Sequence, residues 1–215
     1  HYLRRMRLRL ATWNINSVRP RGDLIGRMID EIAPDVIALQ EIKCQAHEFP
    51  REMFEALGYR HFRIHGQKGW HGVAIVSRLP LEDSPPLDVC KNGHARCVGA
   101  MVGGVEIQNF YIPAGGDVPD RELNPKFDHK LDFYEKLTAE FARRDPRNPL
   151  IVTGDLNVAP GEHDVWNHKY MSKIVSHTPV EVEAMEALIA SGKFIDLPRE
   201  VVPPSEKLAS WWSYR

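Results

Sequence analysis

Residues 150–160 read LIVTGDLNVAP, and the fold can be worked out from this stretch. Leu150, Ile151 and Val152 form a continuous apolar run, the pattern of a strand buried on both faces. The run then breaks into Gly154, Asp155, Leu156 and Asn157. Gly154 permits close packing or unusual dihedrals at a strand end, and Pro160 stops regular structure. Asp155 and Asn157 therefore leave the tip of a buried strand two residues apart. In open α/β sheets, ligand sites lie outside the carboxyl ends of strands. Asp and Asn are also common turn residues, so the weight of GDLN depends on whether other strands end the same way.

Several do. Arg7–Ile15 alternates and then turns apolar, reading as a strand that delivers Asn14 and Asn16. Leu24, Ile25, Met28, Ile29 and Ile32 recur at helical spacing after Asp23, and Pro34 closes that helix. The VIAL run before Gln40 and Glu41 is another buried strand, so strand, helix and strand fit a β-α-β unit. Phe49–Leu57 forms a short helix with Pro50 at its start and Gly58 past its end. Tyr59–His65 and Val73–Ser77 are strands joined by GQKGWHG, which lacks the Walker spacing and reads first as a hairpin connection. Its glycines beside Lys68 and Trp70 also suit a nucleic-acid backbone. Arg96–Val102 and Val105–Tyr111 flank Gly103-Gly104 as a clear hairpin that ends at Tyr111. A helix covers about Asp128–Arg144, with Leu131, Tyr134, Leu137 and Phe141 on one face. Thr178, Pro179 and Glu181 carry the capping-box signature of a further helix. His163, His168 and His177 match no zinc spacing and read as loop or surface histidines. A final aromatic strand, SWWSYR, closes the sequence.

Composition limits the classes available. The 215 residues are 43% hydrophobic and 27% charged, with a formal net charge of −1. That suits a soluble globular chain with no global positive field. No apolar run approaches a membrane span, which argues against a membrane partner. Cys44, Cys90 and Cys97 lack CxxC spacing and read as free thiols in a reducing, cytoplasmic compartment. Residues 1–5 read as extraneous to the native chain, with Met6 as its start and no secretory signal, and 6–215 as a single domain.

Asn14, Glu41, Tyr111, Asp155 and Asn157 thus fall at strand ends, and together they would put two carboxylates, two amides and a phenol at one edge of a sheet sandwich. Oxygen donors without a Cys or His cluster suit Mg²⁺ or Mn²⁺, which keeps room for water and phosphate oxygens. Such a site promotes in-line attack on a phosphoryl group.

With these motifs in order, the chain resembles the exonuclease III type of apurinic/apyrimidinic endonuclease, in the endonuclease/exonuclease/phosphatase superfamily. WNIN (13–16), LQE (39–41), QKGWHGVAIVSR (67–78), YIP (111–113), GDLNVAP (154–160) and SWWSYR (210–215) carry the resemblance. It implies an α/β fold, a four-layered α/β/β/α sandwich of two packed mixed sheets flanked by helices. It implies metal binding at Glu41 with Asn14 beside it, and an attacking water oriented or deprotonated by Asp155. Asn157 would hold water and phosphate, and Tyr111 would contact phosphate or assist the leaving group. Lys68 and Gly69 would touch the DNA backbone, and Trp211 would wall the pocket for a base-less sugar.

The implied activity is Mg²⁺-dependent cleavage 5′ to abasic sites in double-stranded DNA, with trimming of 3′ ends, by a monomer. A phosphatase acting on inositol phosphates or lipids and a DNA-binding module without catalysis are the alternatives. Two departures accompany the resemblance. The family's further Asp and Asp-His motifs would lie beyond Arg215, so a truncated domain lacking its last strands is expected. Ala114 stands where many relatives carry a phosphate-binding amide.

Overall fold

The structure, a computed structural model, describes residues 7–85 and 87–209. The expected SWWSYR strand, with Trp211, lies outside the described residues. The described residues form two compact units, one within 7–111 and 147–156, the other within 112–146 and 157–209.

In the first unit, β1 (Leu10–Asn14) enters the core and α1 (Gly22–Ile32) crosses over to β2 (Val36–Gln40). The two strands pair in parallel, completing the β-α-β unit expected from the spacing. After α2 (Arg51–Ala56) come β3 (His61–His65) and β4 (Val73–Ser77), which pair antiparallel with His65 opposite Val73. The 66–72 stretch is thus a hairpin connection. The strand order in this mixed sheet is β1-β2-β4-β3. A second mixed sheet has the order β5-β6-β7, from β5 (Cys97–Val102), β6 (Val105–Tyr111) and β7 (Leu150–Asp155). Gly103 and Gly104, both at positive φ (55° and 84°), make the tight β5–β6 turn.

The side-chain period of two explains the layering. Ile37 and Leu39 of β2, with Ala74 and Val76 of β4, pack under Ile25 and Ile29 of α1 and Phe54 of α2. The alternate residues Val36 and Ile75 face the other way, onto Ala100, Val102 and Ile107 of the second sheet. Burying one such Ile or Phe contributes about 1.5–3 kcal/mol, so this helix–sheet–sheet stack is well supplied with apolar burial. Residues 150–155 depart from the expectation of a strand buried on both faces: they are half-buried throughout. The reason is position, because among the described strands β7 has β6 on one side only.

The second unit is helical. α3 (Pro125–Ala142) begins earlier than its apolar periodicity predicts, because Asn124 caps it by accepting from Lys126 N. α4 (His168–Met171), α5 (Pro179–Gly192) and α6 (Leu197–Val201) follow. The capping box of Thr178 and Glu181 forms as expected. Glu181 has a second partner, however. Its buried carboxylate pairs with the equally buried Lys130 of α3, tying α5 to α3. His177 lies in the loop before α5, as expected, but is buried there, and it accepts a hydrogen bond from His168. Among the described residues, no helix is long and apolar enough to cross a membrane.

Candidate active site

The carboxyl ends of two parallel strand pairs carry the site, all within the first unit. Asn14 lies opposite Gln40 across β1–β2, so Asn14 and the next residue, Glu41, emerge together. Tyr111 lies opposite Asp155 across β6–β7. Parallel pairing puts equivalent ends of sequence-distant strands at one edge.

One amide joins the two pairs. Asn14 Nδ2 donates to Glu41 Oε1 at 2.9 Å and to Asp155 Oδ2 at 2.8 Å. Tyr111 OH donates to the same Glu41 Oε1 at 2.8 Å, and Lys43 Nζ stands 3.0 Å from Glu41 Oε2. Asn14 Oδ1 accepts from the Asn16 backbone, which fixes the direction of the amide. Beneath this group, buried Gln40 donates to buried Asn109 Oδ1 at 2.7 Å. Asn109 in turn donates to the carbonyls of Leu39 and Ala74. The two sheets are therefore bolted together one residue below the site by fully engaged amides, an arrangement that locks register.

The backbone around the carboxylate is strained. Glu41 and Lys43 both have φ 53°, and Asn16 has φ 46°. Left-handed geometry at non-glycine residues costs on the order of 1 kcal/mol or more each and clusters at functional sites. The loop is held in place regardless: Ser17 N donates to Glu41 O, Ile42 N to Gly72 O, and Lys43 N to His71 O. At the end of β7, Gly154 has φ 131°, and a Cβ there would sit 2.0 Å from the Phe110 carbonyl oxygen. Glycine is thus required for Asp155 to reach Asn14.

Electrostatics set the protonation states. Burial pushes the Glu41 carboxyl up, but the hydrogen bonds from Asn14, Tyr111 and Lys43 together hold it below its ordinary value. Burial, reinforced by the Glu41 charge, pushes the Tyr111 phenol up, so it keeps its proton. Arg96 lies with its guanidinium 4.7 Å from the Tyr111 ring centre and donates to the Tyr111 carbonyl. His71 stacks on His94 at 4.6 Å and lies 6.0 Å from the Tyr111 ring. Burial, then Arg96, lowers the His94 pKa.

The donor set fits a hard cation. Among the described residues no three His, Cys, Asp or Glu side chains converge, and magnesium-type sites use only one or two protein carboxylates. Glu41, with Asn14 beside it, offers oxygen donors of that kind, and the Lys43 ammonium 3.0 Å from Glu41 Oε2 is a cation already next to that carboxylate.

The structure thus brings together Asn14, Glu41, Tyr111 and Asp155 of the residues predicted from the sequence. Lys68 and Gly69 sit in the exposed part of the 66–72 loop, whose His71 and Gly72 carbonyls hold the Glu41 loop. Asn157 belongs to the second unit, where its Nδ2 donates to Ile112 O and its carbonyl accepts from Lys130 Nζ at 2.6 Å. Lys130 Nζ also donates to Ala114 O. Trp211 lies outside the described residues. Sequence reasoning missed Lys43, Arg96, His71 and His94. The EIK tripeptide offered a signal for Lys43, a cation two residues beyond the proposed ligand. Arg96 offered none.

Comparison with known proteins bears on this geometry. The sequence profile of the Endonuclease/Exonuclease/phosphatase family matches residues 11–212. The chain belongs to that family. It is 31% identical over 222 residues to the exodeoxyribonuclease III of Haemophilus influenzae, covering 97% of this chain and 81% of that protein. An AP endonuclease structure from Archaeoglobus fulgidus superposes with a TM-score of 0.87 at 31% identity, covering 97% of this chain and 79% of that one. A structure of a 3′ phosphatase from Neisseria bound to a product DNA hairpin superposes with a TM-score of 0.86 at 28% identity, covering 97% and 80%. These likenesses put the chain in the exonuclease III branch of the family, with an α/β fold of two mixed sheets and helices, and make it a hydrolase of the nuclease type.

Proposed function

We propose that this chain is a divalent-metal-dependent DNA-repair nuclease that hydrolyses the phosphodiester 5′ to abasic sites and trims 3′ ends. The observation that carries the reading is the Asn14 amide bridging Glu41 and Asp155. In this reading one carboxylate serves a metal and the other, beside it, serves proton transfer. The names of the relatives, an exodeoxyribonuclease III and an AP endonuclease, support DNA as substrate.

Glu41, with Asn14 beside it, would hold Mg²⁺ or Mn²⁺, which when bound supplies Lewis-acid stabilisation of charge on the phosphoryl oxygens. Glu41 stays ionised because its carboxyl is held below its ordinary value. Asp155 orients the attacking water and accepts its proton, and the Asn14 amide, donating to Oδ2, holds that carboxylate in position. Tyr111 retains its proton and, on turning its hydroxyl from Glu41 Oε1, donates a hydrogen bond to a phosphate oxygen or the departing oxygen. Asn157 helps hold water and phosphate. Lys68 and Gly69 follow the DNA backbone, and Trp211, outside the described residues, is assigned by the resemblance alone to the pocket for the base-less sugar.

A second reading, removal of phosphate from DNA 3′ ends, draws on the Neisseria relative described as a 3′ phosphatase. It uses the same carboxylates. The test is a duplex carrying a tetrahydrofuran abasic analogue, run beside a 3′-phosphate duplex and an inositol phosphate, with Mg²⁺ and with EDTA. Abasic cleavage should need the metal, and Asp155→Asn should slow it by roughly 10² to 10⁴, as expected for a lost general base. Near-normal cleavage by Asp155→Asn would overturn the role. Turnover of the inositol phosphate alone would overturn the substrate.

A further inference from the structure

The second unit exposes an aromatic pair with no role in the chemistry above. Trp166 and Tyr170 are 66% and 57% exposed, with ring centres 5.4 Å apart and planes inclined at 43°. Aromatics of this size are ordinarily buried, so two adjacent ones left in solvent call for an occupant. They are also firmly mounted. Asn167 caps α4 by accepting from Tyr170 N. His177 donates through Nδ1 to Ala159 O, which leaves its Nε2 to accept from His168 Nδ1 at 2.8 Å. This buried histidine anchors α4 against the unit's interior.

The segment that carries the pair is basic, with Glu162 and Asp164 before it and Glu206 next to Lys207 as acidic residues nearby in sequence. Residues 165–180 contain Lys169 and Lys173 and no Asp or Glu. Lys207 reaches in from the later chain and donates to the Trp166 carbonyl at 3.3 Å. The Leu208 N to His163 O bond holds that segment in place. The nearest carboxylate in sequence, Asp164, is paired with Arg199, so its charge is already countered. In a chain whose net charge is −1, this is a local concentration of cations beside exposed π faces.

We infer that Trp166 and Tyr170, flanked by Lys169, Lys173 and Lys207, form a stacking platform for an unpaired nucleobase of a nucleic-acid strand. Base faces inside a duplex are already stacked on their neighbours, so an exposed ring can stack only on a base at a frayed, overhanging or single-stranded position. The lysines then meet the flanking phosphates, and the combination tolerates any sequence, because every base has a π face. The platform deepens the nuclease reading and rests on it for the identity of the polyanion.

The test compares binding of a blunt duplex and of the same duplex with a short 3′ single-stranded extension, by fluorescence anisotropy in EDTA. The wild type should prefer the extended duplex, and Trp166→Ala with Tyr170→Ala should weaken binding to it about tenfold. Affinity for the blunt duplex should stay level, and the thermal melt should be unmoved because both side chains are exposed. Lys169→Ala with Lys173→Ala should flatten the salt dependence for single strands by about 0.7 per lysine.

Equal preference for the extended duplex in wild type and Trp166→Ala/Tyr170→Ala would overturn the proposal. So would light scattering that shows self-association lost in the variant while DNA binding is unchanged, because the patch would then join two copies of the chain. Hydrolysis is measured in parallel. Failure of the wild type to cut DNA, with the extension preference intact, would defeat the nuclease reading and leave the platform standing.

Discussion

Removing the Asn14 amide tests the site without recourse to a metal. In Asn14→Ala the hydrogen bonds to Glu41 Oε1 (2.9 Å) and Asp155 Oδ2 (2.8 Å) disappear together. A hydrogen bond to a charged group contributes about 1.5–3 kcal/mol. Both carboxylates are partly exposed, and water will replace part of the loss, so the expected destabilisation at neutral pH is about 2–3 kcal/mol in all. Part of it is mutual repulsion of two carboxylates that no longer share a donor. Neutralising one should relieve that part, so Asn14→Ala should cost less in a Glu41→Gln background. The measurement is a double-mutant cycle from urea unfolding in EDTA, and the coupling expected is about 1 kcal/mol or more. If the two substitutions add to within about 0.5 kcal/mol, the Asn14 bridge is not the element that holds the carboxylates together.

The remaining predictions concern other parts of the chain. The Glu41 carboxyl has a folded-state pKa below its ordinary 4.5, so its contribution to stability is present above 4.5 and is lost as pH falls through the folded value. Subtracting Glu41→Gln from wild-type stability across pH 3–7 should therefore give a gap that is flat at neutral pH and closes in acid; a gap that widens in acid contradicts the assignment. Lys130→Met or Glu181→Leu should each destabilise by about 3–5 kcal/mol, since either leaves a buried charge without its opposite charge, while the double substitution recovers much of the loss. Chemical denaturation showing the double variant worse than both singles would refute that. Gly154→Ala should cost about 3 kcal/mol or more, because its Cβ would overlap the Phe110 carbonyl at a φ that L-residues avoid; a melting temperature within a degree of wild type would show that the strand end can yield.

Much of the strand-and-helix order was legible because short-range physics writes it. The VIAL run reads as a strand buried on both faces, and in the structure β2 is buried along its whole length. The Gly103-Gly104 turn and the Thr178–Glu181 capping box depend on residues within a few positions of each other, and both formed as read. The strand-end polar residues were legible for a related reason. An abrupt change from apolar to oxygen-bearing side chains marks where a chain leaves the core.

What the sequence could not decide was which of those ends meet, and through which atoms. Asn14 and Asp155 are 141 residues apart, and their hydrogen bond exists because two parallel pairings place both strands' carboxyl ends at one edge. Lys43 on Glu41, Arg96 over Tyr111 and Lys130 on Glu181 are likewise products of tertiary packing. No local pattern encodes them, because a charged residue is equally compatible with solvent until the fold removes it. The same holds in reverse for Leu150–Val152. Its apolar run specified a strand, but burial depends on what lies on either side, and with β6 as its one described neighbour β7 stays half-exposed. The sequence by itself determined the elements and the chemistry available at their ends. Only the tertiary structure decided the partners, because hydrogen bonds and ion pairs of long sequence separation are set by sheet register and helix packing rather than by the residues that make them.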